Sequence, residues 1–254
     1  MLNVRTFGEG PLIVALHGWT LTGQQFARTG DSLGRSIVAP DLPGHGESAT
    51  ERTSVHAVVT SIANVLSTFG HPVPLLGYSQ GGRMALITAV IHPSFVSSLI
   101  LISANAGIRD PGDRTERERR DQEFAASIQQ MQIDEFVDDW TERPLTSTKR
   151  LPEDRRKTDR AVRLSNTVEG LGAALAGYGQ GAQPNVWDRL GELRVPTLLI
   201  AGERDENYAS IAKEMGSAIE DASVVIIPDA GHDPMADKPD QTWQAVSSFL
   251  DRNG

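Results

Sequence analysis

The chain has 254 residues, 39% of them hydrophobic, with 24 basic and 33 acidic side chains, a net charge of −9 and a mean hydropathy of −0.27. That length fits one large α/β domain or a core with a small insert; the negative charge repels phosphate backbones and argues against nucleic-acid binding; and with no run of eighteen apolar residues, neither a transmembrane helix nor a membrane partner is expected. The absence of cysteine excludes disulfides, thiolate catalysis and cysteine-ligated metals, and an N-terminus without a basic segment and long apolar run leads to the expectation of no secretory leader, so a cytoplasmic location fits.

The first strand-like run is Pro11-Leu12-Ile13-Val14-Ala15-Leu16, which leads into His17-Gly18-Trp19. The next, Ser36-Ile37-Val38-Ala39-Pro40, leads into Asp41-Leu42-Pro43-Gly44-His45-Gly46-Glu47-Ser48. A helical pattern covers residues 55–69. Val73-Pro74-Leu75-Leu76 then leads into Gly77-Tyr78-Ser79-Gln80-Gly81-Gly82, followed by a helix over 83–91. Ser98-Leu99-Ile100-Leu101-Ile102 is a further strand. From about Ile108 to Gly181 no strand-like run occurs, and spaced apolar residues (Phe124, Ile128, Ile133, Phe136, Val137, Trp140) predict a helical insert, or cap, over the carboxyl edge of the sheet. Strands resume with Thr197-Leu198-Leu199-Ile200 and Val224-Val225-Ile226-Ile227, and a helix over 242–250 ends the pattern. The runs are continuously apolar, as strands covered on both faces are. Their alternation with helices predicts an α/β fold with a mostly parallel central sheet. Residues 1–107 and 182–254 form the expected core, and 108–181 the expected cap.

Gly77-Tyr78-Ser79-Gln80-Gly81 is a G-x-S-x-G between a strand and a helix, the context of a nucleophile elbow. Ser79 is the predicted nucleophile. A serine needs a base to take its proton, and His232, in a loop after the last strand, is the candidate. The imidazole needs a carboxylate to fix its tautomer. Asp205 is preferred for this over its rivals Glu203 and Glu206. The backbone N–H groups of Gln80 and Trp19 are the expected oxyanion donors. His17 and His45 read as loop-shaping residues. The order Ser, Asp, His is that of the α/β-hydrolase fold.

Together, His17-Gly18-Trp19, 41–48, 77–82, Asp205 and Gly231-His232 resemble the α/β-hydrolase superfamily. The cap and elbow also resemble the 2-succinyl-6-hydroxy-2,4-cyclohexadiene-1-carboxylate synthases of menaquinone biosynthesis, which eliminate pyruvate rather than hydrolyse an ester. That narrower resemblance rests on Tyr78 and Arg83 around the serine, Arg117 to Asp121, 136–140 with Trp140, Pro144-Leu145, Arg163 and 183–187. It implies that Tyr78, Arg83, Arg117, Trp140 and Arg163 bind a small substrate bearing several carboxylates, which guanidinium groups hold bidentately. It departs from the family at Ala176, commonly Arg, at Asn207-Tyr208 and at Asp233-Pro234-Met235 after the histidine.

Because those departures lie near His232 and in the closing segment of the cap, the sequence places first a serine hydrolase acting on small esters or on related acyl or carbon–carbon bonds. The pyruvate-eliminating lyase is the alternative, and a non-catalytic ligand-binding member of the fold comes third. None of these requires a cofactor, and no metal-ligand spacing is present.

Overall fold

The computed structural model describes residues 1–253, without the side chains of Asp31 and Ser32; Gly254, the last residue of the predicted core range, lies outside them. Seven strands form one sheet: β1 (Val4–Phe7), β2 (Leu12–Leu16), β3 (Ser36–Pro40), β4 (Val73–Tyr78), β5 (Val96–Ile102), β6 (Thr197–Gly202) and β7 (Ala222–Ile227). Their order is β1-β3-β2-β4-β5-β6-β7. Only β1 runs antiparallel to its neighbour, pairing Val4 with Pro40 and Phe7 with Ile37; the other pairs are parallel. This is the mostly parallel, doubly covered sheet that the apolar runs lead one to expect. β1 was not among the expected strands. It is four residues long with alternating exposure, as befits an edge, and it carries no continuous apolar signature.

The helices are α1 (Thr29–Leu33), α2 (Val55–Ser67), α3 (Gln80–Ile91), α4 (Pro111–Ile128), α5 (Ile133–Glu142), α6 (Glu153–Leu164), α7 (Val168–Tyr178), α8 (Glu206–Ala218), α9 (Pro234–Asp237) and α10 (Pro239–Asn253). Successive strand residues point to opposite faces, and the core divides accordingly. Val14, Leu16, Leu75, Leu99, Leu101 and Leu199 pack against α2, α3 and α8. Ile13, Ala15, Leu76, Ile100, Ile102 and Leu198 pack on the other face against α1 and α10. Burial on both faces is why these strands read as unbroken apolar runs.

Helices α4 to α7 fall between β5 and β6. They build a small core of their own from Ile128, Phe136, Val137, Val168 and Leu171, against which Phe124, Trp140 and Trp19 pack. Trp19 belongs to the loop after β2, so these inserted helices sit at the carboxyl end of the sheet, where ligands of open α/β sheets bind. Among the described residues no helix is long and apolar enough to cross a membrane.

Candidate active site

Ser79 lies between β4 and α3 with φ 50° and ψ −112°, a strained backbone for a residue with a side chain. The flanking glycines make this turn possible. A Cβ on Gly77 would stand 2.5 Å from the Gly81 carbonyl oxygen, and one on Gly81 would stand 2.4 Å from the carbonyl oxygens of Leu16 and His17. Strand and helix therefore touch backbone to backbone, and the Ser79 hydroxyl is lifted off the sheet. Ser79 N donates to Ile102 O at 2.8 Å, which anchors the turn to β5.

His232 and Asp205 meet Ser79 from the loops after β7 and β6. His232 Nε2 is 3.0 Å from Ser79 Oγ, and His232 Nδ1 is 2.6 Å from Asp205 Oδ2. An Nδ1–H donated to the carboxylate leaves the Nε2 lone pair facing the serine. The second Asp205 oxygen accepts from Tyr208 N at 3.3 Å at the start of α8. Both Asp205 and His232 are buried. Of the rivals, Glu203 is taken up by Asp229 N at 3.0 Å, and Glu206 opens α8 as an exposed residue. The histidine loop is braced by Gly231 N donating to Asp237 Oδ2 at 2.7 Å and by Arg204, which pairs with Asp229 and Asp237.

The Gln80 amide opens α3, and the Trp19 amide lies in the loop after β2. Neither donates to a protein acceptor among the described residues. They are the two backbone donors that the sequence nominates for an oxyanion formed at Ser79.

The loops beneath are fixed by buried polar groups. His17 Nε2 accepts from Leu42 N at 2.8 Å, and its Nδ1 donates to Gly18 O at 2.9 Å. His45 Nδ1 lies 3.2 Å from both Pro43 O and the Tyr178 hydroxyl. Burial lowers the pKa of His17 to about 4. Burial, aided by the neighbouring His17, lowers that of His45 to about 3. Both are neutral shaping residues, not bases. An unfolded histidine titrates near 6.5, so between about pH 6.5 and pH 4 the unfolded chain binds protons that the folded chain does not. Stability is therefore lost as the pH falls through that window, by on the order of 3 kcal/mol for His17 alone. Urea denaturation at about pH 7, 5.5 and 4.5 checks this; a midpoint that stays flat across the series contradicts it.

The predicted substrate residues differ in how they are engaged. Tyr78 is buried with its ring 5.8 Å from that of His232; burial raises its phenol pKa well above the usual value and keeps the hydroxyl a donor. Trp140 packs edge-on to Trp19 at 4.7 Å, and its buried indole N–H has no hydrogen-bond partner among the described residues. Arg117 on α4 pairs with Asp121 at 2.8 Å and bonds Gln180. Arg163 on α6 is bidentate on Asp159 at 2.6 and 3.0 Å and bonds the Thr20 hydroxyl. Arg83 is 8% exposed, and the one hydrogen bond of its guanidinium among the described residues, at 3.3 Å, goes to the neutral amide of Gln183. Gln183 donates to Asn105 O at 3.1 Å, and Asn105 donates to the Tyr208 hydroxyl at 3.4 Å, so a polar chain runs from Arg83 to the ring beside His232. Sequence reasoning passed over Thr20, Asn105 and Asn166, which carry no motif; Thr20, directly after His17-Gly18-Trp19, had only that adjacency to mark it. Asp233, next to His232, caps α9 by accepting from Ala236 N at 3.0 Å, and burial pushes its carboxyl up to about 6. Among the described residues no group of acidic and histidine side chains could hold a metal ion.

The Alpha/beta hydrolase family matches residues 13–245. A 2-succinyl-6-hydroxy-2,4-cyclohexadiene-1-carboxylate synthase of Escherichia coli O1:K1 / APEC is 27% identical over 248 residues, covering 94% of each chain. A Bacillus subtilis (strain 168) relative, to which the same synthase activity is provisionally assigned, is 37% identical over 253 residues, covering 95% of this chain and 92% of its own. The solved structure of MenH from S. aureus superposes with a TM-score of 0.93 at 31% identity, over 100% of this chain and 99% of that one. These findings overturn the order in which the sequence placed the two chemistries. The serine hydrolase expected first gives way to the lyase expected second, because the Escherichia coli and Bacillus subtilis relatives, matched along nearly their whole length, carry the synthase name, and the MenH structure superposes over the whole chain. The departures at Asp233-Pro234-Met235 and Ala176 are local, whereas the likeness spans core and insertion alike.

Proposed function

The chain belongs to the alpha/beta hydrolase family, and from that premise we propose that this enzyme is a lyase of the 2-succinyl-6-hydroxy-2,4-cyclohexadiene-1-carboxylate synthase type, eliminating pyruvate from a small substrate that bears several carboxylates. The observation that carries the reading is Arg83. A guanidinium 8% exposed, hydrogen-bonded only to a neutral amide, forms no ion pair among the described residues; Asp121, which is paired with Arg117, acts on it only through space. Burial depresses its pKa. An uncompensated buried charge costs several kcal/mol, roughly, unless a partner arrives. A substrate carboxylate is such a partner, and the guanidinium fork binds it in two places.

In this reading His232, oriented by Asp205, draws the proton of Ser79, and the serine oxygen takes a proton from substrate carbon. The electron pair left on that carbon forms a C=C double bond as the adjacent bond to the departing unit breaks; that bond's pair leaves with the unit, which takes up the proton held by His232 and is released as pyruvate. No acyl-enzyme forms. The amides of Trp19 and Gln80 stabilise the negative charge that develops before departure. Tyr78 and the unpartnered indole N–H of Trp140 donate to substrate oxygens, and Arg117, paired with Asp121, adds positive potential from α4.

The test is a parallel assay of the purified protein. Pyruvate release from the pathway substrate, read by a coupled reductase, is expected to exceed turnover of short p-nitrophenyl esters by at least about a hundredfold in kcat/KM. Rapid ester hydrolysis with no pyruvate released sinks the proposal.

A further inference from the structure

Residues 18–21 form a tight turn, with Leu21 N donating to Gly18 O at 3.1 Å. Within it Thr20 is fully buried and has φ +70°. Such a conformation in a turn is normally supplied by Gly or Asn, and it is unfavourable for a β-branched residue. It persists only where the surroundings over-determine it.

The surroundings here are the inserted helices. Arg163 Nη1, near the end of α6, donates to the Thr20 hydroxyl. Asn166, just past α6, donates through Nδ2 to Thr20 O at 2.9 Å and to Arg163 O at 3.0 Å, and its Oδ1 accepts from Gly46 N at 2.9 Å. The indole of Trp19 donates to Leu171 O on α7 at 3.2 Å. Asp159, one turn before Arg163 on α6, locks its guanidinium by two further bonds. The guanidinium is thus neutralised and aimed at the loop. Asn166 carries no charge and serves only backbone groups.

We infer that Arg163 and Asn166 are positioning residues: they hold Thr20 in its left-handed conformation, which keeps the adjoining Trp19 amide aimed above Ser79, so the oxyanion site is complete only while the inserted helices are seated on the core. This rests on the role proposed for the Trp19 amide. Without the clamp, Thr20 relaxes toward negative φ and the Trp19–Thr20 peptide rotates; the change passes through the Trp19 Cα to the preceding Gly18–Trp19 peptide, which carries the Trp19 N–H, and that donor leaves its aim. A displaced oxyanion donor lowers turnover rather than substrate affinity.

The experiment compares Asn166→Ala, Thr20→Val, Thr20→Ser and the double variant Asn166→Ala with Thr20→Gly in the full chain. Two rates are read: pyruvate release, and labelling of Ser79 by an aryl phosphonate, whose P=O oxygen needs the same amides. Asn166→Ala and Thr20→Val are each expected to lower kcat and the labelling rate by about tenfold with KM within about twofold. Thr20→Ser, which keeps the hydroxyl acceptor, is expected to stay near the parent. Thr20→Gly in the Asn166→Ala background is expected to recover most of the loss, because glycine holds φ +70° unaided. A pure structural lesion is not repaired by adding a second small residue. Higher KM with unchanged kcat, or no recovery by Thr20→Gly, overturns the inference. If the parent labels at Ser79 but releases no pyruvate, the lyase reading fails and the labelling series alone decides the inference. If pyruvate is released but labelling ignores all four changes, the inference alone fails.

Discussion

Ser79→Ala is expected to lower kcat for pyruvate elimination by about a thousand- to ten-thousand-fold, with KM changed by no more than a few-fold. The proton in transit has no other short route. His232 Nε2 stands 3.0 Å from Ser79 Oγ, and in the proposed route the hydroxyl relays the substrate proton to the imidazole. The alanine keeps the strained turn, because the elbow is set by Gly77 and Gly81 and by the Ser79 N bond to Ile102, none of which involves the hydroxyl. His232→Ala should cost about as much, and the double variant little more, since the two act as one unit. Single-turnover pyruvate release measures all three. Mass spectrometry of the parent during turnover should show no adduct on Ser79, which separates proton abstraction from acyl transfer. A Ser79→Ala enzyme that keeps a tenth of parent kcat removes Ser79 from the chemistry.

Much of this site could be read before any coordinates, and the reason is local. The elbow is a contiguous motif: Gly77 answers to the Gly81 backbone four residues on, although Gly81 answers to Leu16 and His17 at the end of the neighbouring strand. Its strand is legible because β4 is covered on both faces. Asp205 is a different case. Three carboxylates lie within four residues, and only the fold shows Glu203 turned to Asp229 N and Glu206 turned outward while Asp205 meets His232. Arg163 is harder still. In the sequence it is one of several cap arginines implied to hold substrate. In the structure Asp159 and Thr20 take its donors, and Thr20 is 143 positions away. The hydrolase reading failed for the same reason in reverse. It rests on a few departures beside His232 and in the closing segment of the insertion, whereas the likeness that favours the lyase is spread over core and insertion alike.

Arg83→Met is the change in which activity and stability should part. If the guanidinium is kept for a substrate carboxylate, removing it should lower kcat/KM for the pathway substrate by about a hundred- to a thousandfold, the scale of losing one side of a buried charge pair. Turnover of a neutral p-nitrophenyl ester, however slow, should be unaffected within about twofold. The folded protein should not suffer. It loses one 3.3 Å bond to Gln183 and sheds a buried charge that no carboxylate among the described residues pairs with directly. Replacing such a charge by an apolar group of similar size is neutral or stabilising by about 1 kcal/mol or more. Arg163→Met should do the opposite. It strands Asp159, whose side chain is 17% exposed, and releases Thr20, so the melting temperature should fall by several degrees, on the order of a loss of 2–3 kcal/mol. Two arginines of the same predicted role are thereby separated by one pair of measurements, thermal melting and kcat/KM. A destabilised Arg83→Met enzyme with full pyruvate release would mean that the buried cation belongs to the fold, and the carboxylate it is proposed to bind would have to be sought elsewhere in the site.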